Sequence, residues 1–339
     1  MSGPFCATKI FRHPDRLASL LAGEPCAPVT VELDLTNRCN HACPECAGGK
    51  ADPAAALDTI EALDYVHQIR DLGARGLILT GGGEPLAHPD CATIATEAAG
   101  AGLDVGLITN GGLFDADATA ALVACCTWIR VSLDAGDAHD YKRIHGRGGA
   151  ELDRVIARIA LLGRQKHDTG SACTIGVGYL IDAGNLAGVA PTAAVLADMP
   201  GVDYLQLRPF HRRASPLAAS LALEACARYQ SDTFHVVSSD QKYGVAPERD
   251  YTRCAAAEVC AVIAADSTMP LCCHHRGNPE FSIGRLRDGK TVGEVWYGRR
   301  RRELLAGLDV SRCLPLCRGD AINRTVHAIG RPVQHPAFL

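Results

Sequence analysis

The chain has 339 residues, of which 47% are hydrophobic and 21% are charged, a composition that excludes a disordered chain. Its 34 basic and 38 acidic residues give a formal net charge of −4, so no global basic field attracts nucleic acid or an anionic membrane. The first residues lack an apolar signal core, and no stretch approaches the roughly 18 apolar residues of a membrane span. We therefore expect a cytoplasmic protein with no nucleic-acid or membrane partner.

Short apolar runs alternate with helical patterns from residue 30 to about 210. This alternation predicts right-handed crossovers and a parallel α/β sheet, whose ligands bind beyond the carboxyl ends of the strands. The predicted strands are 29–35, 76–80, 103–109, 127–133, 173–181 and 202–207, and the predicted helices are 54–72, 91–100, 115–125, 150–166 and 186–196.

The pattern changes after about residue 235, where Cys, Pro and Gly become dense. One further helix is predicted at 292–305, with the four arginines of 299–302 on a solvated face. We place a boundary between Phe234 and Arg253 and expect an N-terminal extension over 1–28, a core domain over 29–235 and a small cysteine-rich domain over 250–339.

Sixteen cysteines are many for a chain of this size. A cytosolic protein keeps its thiols reduced, so clustered cysteines there indicate metal binding more often than disulfides. The cysteines inside apolar runs are expected to be small buried side chains instead. These are Cys91, Cys125, Cys126 and Cys173.

Three thiols follow the first predicted strand with the spacing C-x3-C-x2-C, at Cys39, Cys43 and Cys46. Tetrahedral zinc needs four ligands, so a zinc site would require His41 or a distant cysteine as well. An iron–sulfur cube held by three cysteines instead leaves one iron open to an outside ligand. The spacing by itself leaves both alternatives open.

Polar motifs also follow the next three strands: TGGGEP at 80–85, TNG at 109–111 and VSLD at 131–134. Glycines let the backbone approach a ligand, and the Glu84 carboxylate can pair with an ammonium group. Together with the cysteine spacing, these motifs resemble the radical S-adenosylmethionine (SAM) superfamily. The resemblance covers about residues 28–210 and implies a partial (β/α)6 TIM-like barrel.

The resemblance also implies a chemistry and a set of binding residues. A [4Fe–4S] cluster on Cys39, Cys43 and Cys46, reduced by an external donor such as flavodoxin or ferredoxin, would cleave SAM to methionine and a 5′-deoxyadenosyl radical. That radical would abstract a hydrogen atom from the substrate. The implied SAM-binding residues are Gly82, Gly83, Glu84, Asn110, Ser132, Asp134 and Arg143.

A second group of cysteines lies in the C-terminal region, where residues 254–272 resemble the opening of a SPASM or shorter twitch domain. Asp266-Ser267 stands where that family usually has Asp-Gly in a hairpin turn. The resemblance implies one auxiliary [4Fe–4S] cluster; a structural zinc site or a lost metal are the alternatives. The expected ligands are Cys254, Cys272 and Cys317, with Cys260 or Cys313 as the fourth and Cys273 as a spare.

Only about 28 residues precede the first predicted strand, which leaves no room for the leader-binding domain common in peptide-modifying relatives. We therefore expect a small sugar-, aminocyclitol- or nucleoside-like substrate of an antibiotic or other natural-product pathway, undergoing dehydrogenation, epimerisation or decarboxylation. A cationic cluster after the sixth strand indicates an anionic group on it: Arg208, His211, Arg212 and Arg213.

Two further hypotheses and one residue role remain open. The protein could be a maturase that modifies a peptide or protein, or a non-catalytic binding protein stabilised by zinc. If the reaction is an epimerisation, a thiol must return the hydrogen atom, and Cys260 and Cys273 are the candidate catalytic residues.

Overall fold

The computed structural model describes residues 7–46, 48, 52–210, 215–238, 249–332 and 334. Its central element is an eight-stranded parallel sheet with the order β7-β6-β5-β4-β3-β2-β1-β8, and β9 and β10 form a separate antiparallel pair. The strands are β1 Thr30–Asp34, β2 Gly76–Thr80, β3 Asp104–Thr109, β4 Trp128–Ser132, β5 Thr174–Ile181, β6 Tyr204–Pro209, β7 His235–Ser238, β8 Cys260–Ile263, β9 Thr268–Pro270 and β10 Ser282–Arg285.

Helices connect the successive strands, and this arrangement confirms the predicted α/β fold class. The first six strands pair in chain order and end within two residues of the predicted bounds. The helices are α1 Pro14–Ala22, α2 Thr59–Asp71, α3 Cys91–Gly100, α4 Ala116–Cys125, α5 Ala138–His145, α6 Gly149–Thr169, α7 Val189–Ala197, α8 Pro216–Cys226, α9 Ala256–Val259, α10 Val292–Trp296, α11 Arg299–Ala306 and α12 Asp320–Gly330. Among the described helices none is long and apolar enough to cross a bilayer.

Two strands extend the sheet beyond the six that were predicted. β7 lies outside β6, and β8 pairs with β1 so that Thr30 faces Cys260 in register. Each of these strands has only four residues, too few for an alternation pattern to identify them. The cysteine-rich region thus contributes an edge strand to the core sheet.

The two faces of the sheet differ in chemistry. Along β1, Val31 and Leu33 are fully buried against the helix layer, whereas Glu32 and Asp34 point to the opposite face. Side chains alternate along a strand, so the same division holds on β4, where Ile129 and Val131 join the hydrophobic core. We call the face that carries Glu32 and Asp34 the inner face.

A second, smaller core joins the two ends of the chain. Ile10 and Leu20 pack with Val259 and Val326, and the Trp296 indole N–H donates to the carbonyl of Cys26 at 2.8 Å. The N-terminal extension therefore packs against the C-terminal region.

Several helix predictions differ from the structure. The helix predicted at 54–72 begins only at Thr59, where the Asp58 side chain accepts from the Glu61 N–H. The helix predicted at 292–305 is two helices separated at Gly298. The solvated-face prediction was wrong for Arg301, which is 3% exposed and stacks 3.5 Å from the Trp296 ring.

The turn at Asp266-Ser267 holds a strained serine. Ser267 is fully buried with a φ of +64°, in the left-handed region that costs a residue with a β-carbon about 1–2 kcal/mol. Its hydroxyl donates to the Glu61 carboxylate on α2 at 2.5 Å. This bond explains how serine replaces glycine here, because the hydrogen bond offsets the strain.

We predict that Ser267→Ala and Ser267→Gly are both less stable than the wild type, because each removes a hydrogen bond to a carboxylate worth about 1.5–3 kcal/mol. Ser267→Gly should remain more stable than Ser267→Ala by about 1 kcal/mol, because only glycine relieves the left-handed strain. Urea denaturation of the three proteins measures both differences. Equal stability of the two variants would show that strain plays no part.

Candidate active site

The loop that follows β1 places Cys39, Cys43 and Cys46 at the carboxyl edge of the sheet. Cys39 and Cys46 are exposed and Cys43 is half-buried. Burial raises the pKa of the Cys39 thiol, and negative charge at Glu84, Cys43 and Cys46 raises it further. The three predicted thiols therefore lie within electrostatic reach of one another.

The cysteine loop packs backbone to backbone on the glycine loop that follows β2. The N–H of Gly83 donates to Thr36 O at 3.1 Å, and the N–H of Glu84 donates to Arg38 O at 2.9 Å. A β-carbon at Gly83 would overlap the Arg38 carbonyl, and one at Gly48 would overlap the backbone of Gly82. Only glycine fits at these contacts, because nothing larger lets the two backbones approach so closely.

Asn110 and Glu84 link the ends of β2 and β3 to this loop. The Asn110 amide donates to Asn40 Oδ1 at 2.8 Å and points to Cys39 Sγ at 3.7 Å. The Glu84 carboxylate is 2% exposed and accepts from Thr109 Oγ1 at 2.6 Å and the Asn110 N–H at 2.7 Å. Burial raises the pKa of Glu84 to about 7 although these bonds oppose it. The Glu84 carboxylate thus already accepts hydrogen bonds from the protein, through Thr109 and Asn110.

The segment after β4 holds a buried ion pair. Asp134 has a φ of +57°, and its carboxylate accepts from the Leu180 N–H at 2.6 Å and lies 3.4 Å from His145 Nε2. Burial would raise the pKa of Asp134, but the hydrogen bond and charge of His145 outweigh it and lower that pKa. Ser132 is half-buried on the inner face of β4.

Arg143, a predicted SAM ligand, is paired with protein carboxylates. Its Nε and Nη2 donate to Asp140 Oδ1 at 3.1 and 3.0 Å, and its Nη1 lies 3.7 Å from Asp182 Oδ2. The guanidinium is 36% exposed at the end of α5. Its positive charge is thus neutralised locally.

Two histidines approach the central cysteine, and only His41 was considered from the sequence. His41, Cys43 and His145 offer ligand atoms within 4.8 Å of one another, with Cys43 Sγ 3.5 Å from His145 Nδ1. Burial lowers the pKa of His41 to about 4, so its ring is neutral at pH 7. Three ligands remain one short of a structural zinc site. His145 follows VSLD at no diagnostic spacing, so no sequence signal identified it.

The C-terminal cysteines gather beside the β1 edge of the sheet. Burial raises the pKa of Cys260 to about 12, and Cys254, Cys272 and Cys317 add to that rise. Burial also raises the pKa of Cys313, with Cys317 and Cys272 adding to it. The structure therefore brings all five candidate ligands within electrostatic reach of their neighbours.

Hydrogen-bond donors point at three of these sulfurs: an amide N–H, a backbone N–H and a thiol S–H. The Asn323 amide donates to Cys254 Sγ at 3.6 Å. Burial raises the pKa of Cys317, and the Gly319 N–H acts against that rise. A hydrogen bond from the Cys273 thiol is the largest of the effects that lower the pKa of Cys272 to about 7. Such donors stabilise thiolates and tune iron–sulfur centres.

Arg276 connects the C-terminal cysteine group to β1, the strand that precedes the three-thiol loop, and sequence reasoning missed it. Its Nη1 donates to Cys273 O at 3.1 Å, and other guanidinium nitrogens lie 2.6 Å from Glu32 Oε2 and Asp34 Oδ2. The available signal was the pair of acids at alternate positions of a buried strand, since buried charges need partners. Arg318 also pairs with Glu32.

The cationic cluster predicted after the sixth strand is described in part. Arg208 lies on β6 and is half-buried on the inner face. His211, Arg212 and Arg213 lie outside the described residues.

Four cysteines were expected to be buried. Cys91, Cys126 and Cys173 are buried, whereas Cys125 is half-buried.

Curated relatives match between about two-fifths and four-fifths of the chain. The AdoMet-dependent heme synthase of Methanosarcina barkeri is 36% identical over 139 residues, which are 40% of this chain and 39% of that protein. The PqqA peptide cyclase of Ruegeria pomeroyi is 27% identical over 287 residues, which cover 80% and 74%. The match to the heme synthase thus spans about two-fifths of that relative's length.

Solved structures extend the likeness of the fold to the C-terminal region. Streptococcus suis SuiB bound to precursor peptide SuiA superposes with a TM-score of 0.68, covering 98% of this chain and 79% of SuiB at 14% identity. Residues 33–182 match the model of the radical SAM superfamily. Over these residues the chain matches a radical SAM domain, a match that implies a [4Fe–4S] cluster and SAM as cofactors.

Proposed function

We propose that this chain is a radical SAM enzyme that reductively cleaves SAM and abstracts a hydrogen atom from its substrate. The observation that carries the proposal is the three-thiol loop, which lies at the carboxyl edge of a parallel sheet and packs on a glycine loop through their backbones. When bound, the reduced cluster and SAM would supply a 5′-deoxyadenosyl radical. The protein's own task is to hold SAM and the substrate, to orient them, and to exclude water from the site.

The donor set fits an iron–sulfur cube with one open iron. Cys39, Cys43 and Cys46 supply three thiolates, one fewer than a closed tetrahedral site requires. The His41 N–H donates to Cys39 Sγ at 3.3 Å. Burial raises the pKa of Cys46, but the Gly48 N–H acts against that rise. These donors favour the thiolate form that binds metal.

We assign the SAM site to the groups at the strand ends beside that loop. The backbone of Gly82 and Gly83 and the side chains of Asn110 and Ser132 would contact SAM directly. The carboxylates of Glu84 and Asp134 already accept hydrogen bonds from protein groups. We therefore infer that these two acids mainly hold the loops in place.

Arg143 would reach the SAM carboxylate only by exchanging one of its two acidic partners, Asp140 and Asp182. The Arg143 side chain is 36% exposed, so a ligand can approach it from solvent. We therefore propose that Arg143 binds the SAM carboxylate while it stays paired with one of its two acidic partners.

We propose one auxiliary [4Fe–4S] cluster in the C-terminal domain of residues 250–339. Cys254, Cys272 and Cys317 would bind it, since N–H or S–H donors stabilise each of these thiolates. Cys260 or Cys313 would complete the set. Such a cluster could accept an electron from a substrate radical or relay one from an external donor such as flavodoxin or ferredoxin.

For the substrate we favour a small anionic molecule, sugar-, aminocyclitol- or nucleoside-like, that is dehydrogenated, epimerised or decarboxylated. The half-buried Arg208 on the inner face of β6 supports this choice. If the product is an epimer, Cys260 or Cys273 would return the hydrogen atom. A peptide is the second candidate, because the SuiB structure that spans this fold holds a precursor peptide and PqqA peptide cyclase covers 80% of the chain.

Anaerobic reduction of the reconstituted protein with dithionite and SAM should release 5′-deoxyadenosine even without the true substrate. Each of Cys39→Ser, Cys43→Ser and Cys46→Ser should lower its formation at least a hundredfold, because the cluster loses a ligand. Cys125→Ser, on a half-buried thiol of α4, should retain it. Chromatographic product analysis measures the yield. Zinc in place of iron, or triad variants with wild-type yield, would contradict the proposal and favour a zinc-stabilised binding protein.

Iron analysis tests the auxiliary cluster separately. Two cubes predict about eight iron atoms per chain, and loss of one cube leaves about four. Cys254→Ser, Cys272→Ser and Cys317→Ser should each give the lower value, as should one of Cys260→Ser and Cys313→Ser. Cys273→Ser should keep the higher value as the matched control. The assignment fails if Cys272→Ser retains the full iron content.

A further inference from the structure

Two arginines project onto the inner face from strands on either side of β5. Arg130 on β4 pairs in register with Gly176, and Arg208 on β6 pairs with Leu180. A β-carbon at Gly178 would lie 2.9 Å from Arg208 Nη2. The missing side chain at Gly178 therefore leaves the space in which the Arg208 guanidinium lies across β5, while the Tyr204 ring fills the space above Gly176.

Among the described residues, neither guanidinium has a carboxylate partner within salt-bridge distance. Arg130 Nη1 lies 3.3 Å from Oε1 of the neutral Gln206 amide, and the guanidinium carbon lies 6.0 Å from the centre of the Trp128 ring. The buried Nε atoms of Arg130 and Arg208 have no hydrogen-bond partner in the described part of the chain. The carboxylate of Asp134 attracts both cations but is already engaged by His145 and the Leu180 N–H.

Burial and the nearby charge of Arg208 both act against the charge of Arg130. Burial lowers the pKa of Arg130 to about 9, and the positive charge of Arg208 lowers it further. A buried cation without a partner costs several kcal/mol in proteins. Arg208 is half-buried and within electrostatic reach of Arg130, so an anion that contacts both guanidinium groups would offset this cost.

The opposite wall of the inner face shows how this protein neutralises buried charge. Glu32 and Asp34 on β1 are held by Arg276 at 2.6 Å each, and Glu32 pairs with Arg318 as well. The acids and the bases there match in number. The excess positive charge of the inner face therefore lies at Arg130 and Arg208.

We propose that Arg130 and Arg208 form an oxyanion-binding site that holds a carboxylate or phosphate group of the substrate. Guanidinium groups bind such groups in bidentate geometry, and a buried anion offsets the cost of both cations. This inference rests on the proposed function and adds to it which residues hold the anionic group of the substrate. Arg130 was not identified as a functional residue from the sequence.

Calorimetric titration of the reconstituted full-length protein with inorganic phosphate and with acetate tests the site. We expect one anion to bind per chain, at least tenfold more weakly in each of Arg130→Gln and Arg208→Gln. Arg299→Gln removes the same charge from a side chain that is 86% exposed and should bind as the wild type does. The proposal is overturned if the wild type binds neither anion, or if both inner-face variants bind like the wild type.

A second arm identifies the source of the anion. The wild type and Arg208→Gln are titrated with SAM and with its decarboxylated analogue. We expect the ratio of the two affinities to be the same in both proteins. Loss of the preference for SAM in the variant would mean that the site holds the SAM carboxylate, which would overturn its assignment to the substrate.

Separate measurements check the folding of each variant independently of these titrations. Iron content and circular dichroism show whether each variant is intact, and the lysine variants test the site if a glutamine variant does not fold. Arg130→Lys and Arg208→Lys keep the charge without the bidentate geometry and should bind more tightly than the glutamine variants. The titrations contain no reductant, so they give the same answer whether or not the protein cleaves SAM.

Discussion

The site depends on one close backbone contact, between the loop that carries the three thiols and the glycine loop after β2. Hydrogen bonds join Gly83 to Thr36 and Glu84 to Arg38, and a side chain at Gly83 would break this contact. Parallel strands present all their carboxyl ends at one edge, so one contact there aligns the cysteine loop with Asn110. The geometry around the thiols thus follows from a packing requirement of the main chain.

Charge balance organises the rest of the molecule. Arg276 joins two acids of β1 to the loop that carries Cys272 and Cys273, so the cysteine-rich region is tied to the core sheet by buried ion pairs as well as by β8. Removing one member of such a buried network is far more costly than removing an exposed pair. The cation pair on β4 and β6 stands out because it lacks this compensation.

Local patterns predicted the elements and motifs that depend on neighbours in the sequence. The first six strands and the polar motifs at their ends follow from periodicity and turn residues, and they lie where expected. Contacts between distant segments could not be predicted in this way. β8 is a four-residue strand that exists through its pairing with β1, Arg301 is buried with its guanidinium donating to the Ala257 carbonyl, and the Glu84 carboxylate accepts from Thr109 and Asn110 at the end of β3. In each case a partner remote in sequence decides the outcome.

The central claim is that the three thiols hold an iron–sulfur cube whose open iron accepts the amino group of SAM. Electron–nuclear double resonance on the reduced protein tests this claim most directly, with SAM that carries an isotopically labelled nitrogen in its amino group. The account predicts a hyperfine coupling between that nitrogen and the cluster spin, which disappears in Cys43→Ser. A reduced cluster that shows no coupling to the labelled nitrogen, with SAM bound, would contradict it.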